Sequence, residues 1–157
     1  MPLSLNLPVV GRPPYATVPE ALAAWGRGEG AGRGAGAGAA VQAVYVHVPF
    51  CSSKCHYCDF YSVAGHLDEA DPFLAALEAE FTLQRRALLA GARPRPETVF
   101  IGGGTPTLLS PAQLQRLLAT LARHIDFSRV AEFTVEANPN TFDAARARVL
   151  AGGGVNR

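Results

Sequence analysis

Three short strand-like runs, each followed by a stretch of helical periodicity, constrain this chain more than any other feature. Val44–Val48 alternates valine with other residues and reads as a buried strand. Thr98–Ile101 is a second, apolar strand and Glu132–Glu136 a third. After the first, Asp71 as N-cap and Pro72 at the first helical position predict a helix with Phe73, Leu74, Leu77, Phe81 and Leu88 on one stripe, ended by Gly91. After the second, Ser110-Pro111-Ala112-Gln113 is a capping box opening a helix that carries Leu114, Leu117, Leu118 and Leu121. After the third, Asn140 or Thr141 is expected to cap a helix reaching Leu150 before Gly152, and a fourth strand is expected from Val155. Strands alternating with helices imply right-handed crossovers and a parallel sheet, hence an α/β fold. In such sheets chemistry gathers beyond the carboxyl ends of the strands.

The loops at those ends are unusual in composition. Pro49 forbids continuation of the first strand's ladder, so Cys51, Cys55 and Cys58 fall on a loop just beyond it. Their Cys-x3-Cys-x2-Cys spacing is too short for a disulfide framework and leaves an odd thiol over, whereas a loop can wrap three thiolates around one inorganic centre. Two centres fit. One is structural zinc, with His56 or His66 completing a tetrahedron. The other is an iron–sulfur cluster with one iron free of protein ligands.

The second strand runs into Gly102-Gly103-Gly104-Thr105-Pro106, where three glycines let backbone groups approach a ligand closely, or simply make a tight turn. It is neither a P-loop nor a dinucleotide fingerprint. The third strand ends at Glu136, where a carboxylate can accept two hydrogen bonds from a vicinal diol or can stand as an ordinary exposed strand-end charge. Tyr45 and His47 share one face of the first strand by period two, and His47 reads as a core residue.

The cysteine loop, with Tyr57 before its last cysteine, resembles the signature of the radical S-adenosylmethionine (SAM) superfamily. The wider string Tyr45-x-His47-x-Pro49-Phe50-Cys51, followed by Cys58-Asp59-Phe60, is similar to the oxygen-independent coproporphyrinogen III oxidases and related heme chaperones, over about residues 43 to 157. The resemblance implies a partial (β/α) barrel in which Cys51, Cys55 and Cys58 hold a 4Fe-4S cluster. It implies SAM contacts from Tyr45, Gly103, Gly104, Thr105, Glu136 and, more weakly, Asn138, with Tyr57 beside the cluster. It further implies cleavage of SAM to a 5′-deoxyadenosyl radical, a flavodoxin- or ferredoxin-like electron donor, heme or porphyrin as ligand, and a heme-acceptor protein. The oxidase branch usually carries one more cysteine two places after the third; Phe60 stands there, which favours the chaperone branch. The chain resembles a fragment covering the N-terminal half of the barrel, over residues 41–157.

Composition sets the remaining bounds. Lys54 is the only lysine, thirteen arginines supply the other basic charge, and a net charge of +1 leaves no electrostatic footprint for nucleic acid. No apolar run is long enough to span a bilayer, and three clustered cysteines suit a reducing cytosol. Met1–Val10 lacks the features of a secretory signal. From Gly26 to Gly38 glycine takes every second position, so residues 1–40 read as a disordered or low-complexity extension, with one marginal helical turn near Glu20–Trp25.

Overall fold

The computed structural model describes residues 41–157, so the expectations for residues 1–40 lie outside the described part. A parallel sheet forms from β1 (Ala43–Val48), β4 (Thr98–Gly103) and β5 (Glu132–Val135), in the order β1-β4-β5. A second, two-residue parallel pair, β2 (Phe50–Cys51) with β3 (Val63–Ala64), brackets the cysteine loop. The helices are α1 (Ala70–Leu89), α2 (Pro111–His124) and α3 (Ala144–Gly152). The expected α/β architecture of three parallel strand–helix units is what the described residues adopt.

Period-two alternation divides the sheet into two faces. Val46, Val48, Val99, Ile101 and Phe133 are buried and join Leu74, Leu77 and Phe81 of α1 and Leu114, Leu117 and Leu121 of α2 in one core. The opposite face carries Tyr45, His47, Phe100 and Thr134, all at least partly exposed, so His47 is not the core residue its sequence suggests. Helices thus cover one side, and the polar and aromatic side chains project from the other.

Ser110 caps α2 as its sequence predicts, accepting from the Gln113 N–H while Gln113 Oε1 accepts from the Ser110 N–H. Two other caps differ. The chain enters α1 through a 3-10 turn over Leu67–Glu69, and the helix begins at Ala70, so Asp71 is not its cap. Pro72 is tolerated there because N–H groups of a first turn have no intrahelical partner. Released from capping, Asp71 accepts from Gln113 and Arg116 across on α2. The cap of α3 is Asp143, accepting from Arg146 N–H at 2.8 Å, rather than Asn140 or Thr141. Thr141 is instead drawn to Thr107 and Asn138. After α3, Asn156 and Arg157 N–H groups donate to Phe133 C=O and Val135 N–H donates to Arg157 C=O, so the expected fourth strand is present as a few bonds beside β5 and not as a formed strand.

His124 closes α2 in a buried position, its ring stacked on Phe81 at 5.6 Å and beside the Arg85 guanidinium. Burial, then the charge of Arg85, lowers its pKa from 6.5, with Arg123 and Arg93 adding to the effect and Glu78 opposing it. A lowered folded-state pKa means that the unfolded chain binds the proton first, so stability is intact above about pH 6.5 and declines as pH falls toward the folded value. The melting temperature should therefore drop between pH 7.5 and 5.5, and His124→Phe should flatten that dependence; an unchanged slope would contradict this account.

Candidate cofactor site

The three unusual loops leave the same edge of the sheet, and the register of β1 on β4 brings two of them into contact. Val48 stands opposite Gly103, so the chain exits both strands at one level. Gly104 N–H donates to Val48 C=O at 2.8 Å and Thr105 N–H to Phe50 C=O at 2.7 Å. Cys51 Sγ then lies 3.9 Å from Thr105 Oγ1.

The space the glycines leave open is occupied by the protein itself. A Cβ on Gly104 would stand 2.5 Å from Phe50 O; one on Gly103, whose φ is +116°, would meet the His47 ring and Val48 O at 2.8 Å. A Cβ on Gly102 would stand 2.8 Å from Glu136 Oε2. That carboxylate in turn accepts from Gly103 N–H at 3.1 Å, which joins the third loop to the second. The N–H groups of Gly103, Gly104 and Thr105 are thus all engaged, and what this stretch retains for a ligand is acceptor capacity, since each carbonyl has two lone pairs.

Tyr45 lies near enough to Glu136 to feel its charge: burial, then that carboxylate, raises the tyrosine pKa above 10.0. Asn138 lies beside the turn that follows the glycine loop, its N–H donating to the buried Thr107 hydroxyl at 3.2 Å, while its side-chain oxygen accepts from Asn140 N–H. Tyr45, Gly103, Gly104, Thr105, Glu136, Asn138 and Cys51 are therefore gathered on one edge.

Cys55, Cys58 and Tyr57 lie farther out on the cysteine loop. Cys58 N–H donates to Cys55 C=O at 3.1 Å, forming a turn, and all three thiols are free and at least partly solvent-accessible. Tyr57 is 79% exposed, and a hydrogen bond with the Cys55 side chain, followed by that thiol's charge, raises its pKa from 10.0. Among the described residues no three His, Cys, Asp or Glu side chains converge as ligands of a single metal ion do. In a 4Fe-4S cluster each thiolate takes its own iron, so its sulfurs need not meet at one point, and soft thiolates suit it.

Residues 45–157 match the family model of the radical SAM superfamily. The chain belongs to that superfamily. Among curated relatives it is 40% identical over 118 residues to the heme chaperone HemW of Bacillus subtilis, covering 74% of this chain and 30% of the relative. It is 39% identical over 121 residues to HemW of Escherichia coli, covering 73% and 30%. Among solved structures it is similar to the E. coli coproporphyrinogen III oxidase HemN, described as a radical SAM enzyme, with a TM-score of 0.65, 33% identity, and 75% of this chain and 27% of that one covered. The chain spans about 30% of the length of those curated relatives.

Sequence reasoning missed the contacts made through backbone atoms. The residues lodged against the glycines (His47, Phe50) and the Thr107–Thr141 hydroxyl pair at 2.6 Å that ties the second and third loops have no local signature. The only available hint was His47 two places from Tyr45 on one strand face.

Gly104→Ala should cost about 1–3 kcal/mol in urea unfolding, because the atom it strikes is backbone and cannot move without opening the bonds between the two loops. Gly152→Ala, with nothing within 4 Å of its Cβ, should instead stabilise by about 0.5 kcal/mol. Equal effects of the two would show that the close approach at Gly104 is not structural.

Proposed function

We propose that this chain binds a 4Fe-4S cluster through Cys51, Cys55 and Cys58 and SAM across the three loops, as part of a heme-handling protein of the heme chaperone type. The observation that carries the proposal is the Glu136–Gly103 hydrogen bond alongside the Cys51–Thr105 approach, which makes one site of three separate loops. Residues 41–157 are then the first part of a longer radical SAM barrel.

The roles follow from the donor and acceptor inventory. Acceptor capacity on the Gly103–Thr105 stretch suits an incoming ammonium group, which only donates. Glu136 offers its carboxylate to a ribose diol, and Asn138 borders the same position from the third loop. Tyr45 and Tyr57 supply aromatic surface on either side, Tyr57 next to the thiolates. When bound and reduced, the cluster supplies the single electron that breaks a carbon–sulfur bond of SAM. The protein contributes ligands and orientation.

Heme delivery to an acceptor protein, an electron donor of flavodoxin or ferredoxin type and a cytoplasmic setting complete the proposal. The similarity to HemW and the Asp59-Phe60 pair, in place of a further cysteine, favour this over oxidative decarboxylation of coproporphyrinogen III. No described helix is long and apolar enough to cross a membrane.

Anaerobic reconstitution with iron and sulfide should give a brown protein with thiolate-to-iron absorption, and Cys51→Ala, Cys55→Ala and Cys58→Ala should each lose nearly all of it, since no further thiol exists to substitute. A colourless parent carrying stoichiometric zinc, or a full cluster in any single variant, would refute the assignment.

A further inference from the structure

The cysteine loop, residues 52–62, has little apolar surface to hold it: Ser52 to Tyr57 are all exposed, as are Asp59, Phe60 and Tyr61. Two consecutive carbonyls at its far end are nevertheless gripped from two sides. Lys54 Nζ donates to Phe60 C=O at 2.5 Å and to Ser62 Oγ at 3.0 Å. His47 Nε2 lies 2.9 Å from Tyr61 C=O. A carbonyl only accepts, so Nε2 carries the hydrogen, and Nδ1 lies 3.1 Å from the Tyr45 hydroxyl.

We propose that Lys54 and His47 are positioning residues that clasp this loop and set where Cys55 and Cys58 stand relative to Cys51. The proposal rests on the cluster reading of those cysteines. Lys54 lies between the first two cysteines and Phe60 two places after the third, so their bond closes a ring of chain around Cys55 and Cys58. His47 anchors the same ring to the body of the fold, because it stands on β1 with its imidazole beside Gly103. A lysine suits the first role: its flexible stem reaches across the loop and its ammonium has donors enough for both acceptors. The clasp holds in advance an order that three separate thiolate–iron bonds would otherwise have to impose on a mobile loop.

The test compares Lys54→Met and Lys54→Arg with the parent chain after anaerobic reconstitution, reading iron release to a ferrous chelator and the paramagnetic resonance spectrum of the reduced cluster. Lys54→Met should release iron about tenfold faster and broaden the spectrum, while Lys54→Arg, which keeps a charged donor, should stay within about threefold of the parent. His47→Leu and His47→Gln should show the same contrast, since glutamine keeps an N–H to offer. Parent-like release from Lys54→Met would overturn the proposal. So would equal losses in Lys54→Met and Lys54→Arg matched by equal drops in the melting temperature of the iron-free protein. If the parent takes up no iron and sulfide, the cluster reading itself fails, and the clasp is then judged on amide hydrogen exchange of the iron-free chain. About tenfold faster exchange across residues 55–62 in Lys54→Met than in Lys54→Arg would support it, and equal exchange in the two variants would sink it.

Discussion

The parallel register of β1 against β4 is the constraint on which the rest of the site depends. With Val48 opposite Gly103, the chain leaves both strands side by side, and Pro49-Phe50 runs along the glycine turn closely enough for backbone to bond backbone. The cysteine loop is therefore launched from a fixed point. A slip of one residue would send Val46 and Val48 to the open face and Tyr45 and His47 into the core, so burial of the valines holds the register and the register holds the loops.

Burial and chemistry are separated by the same alternation. Val46, Val48, Val99, Ile101 and Phe133 face the helices and have no polar atoms in their side chains. Tyr45 and His47 face the other way, on the side where Glu136 meets Gly103. The hydroxyl pair Thr107–Thr141 and the Asn138 N–H then lash the third loop to the second beyond the sheet's edge, where no ladder can do so. Surface ion pairs such as Arg129–Glu97 and Arg95–Asp126 lie among exposed side chains, where each contributes at most about 1 kcal/mol.

Much of this was legible in the sequence because it is local. Strand periodicity and the Ser110 capping box each depend on residues within a turn or two of one another, and the placing of three loops on one edge follows from the strand–helix alternation by the parallel-crossover rule. The caps of α1 and α3 were not, because Asp71 and Thr141 have alternative partners far along the chain, Arg116 and Thr107, which only the folded arrangement supplies. The glycine run was legible as an absence of side chains, but its partners Phe50 O and His47 were not. The bonds of Lys54 and His47 end on carbonyls, and every residue has one. The two-residue strands β2 and β3 fall below any sequence periodicity.

The claim that most needs testing is that the cysteine loop, the glycine turn and Glu136 form one site. The direct measurement is the paramagnetic resonance spectrum of the reduced, reconstituted chain with and without SAM, for the parent and for Glu136→Ala at matched iron content. This account predicts that the cofactor alters the parent spectrum and leaves that of Glu136→Ala nearly unchanged. A fully loaded parent indifferent to the cofactor, or an equal response in both proteins, would contradict it.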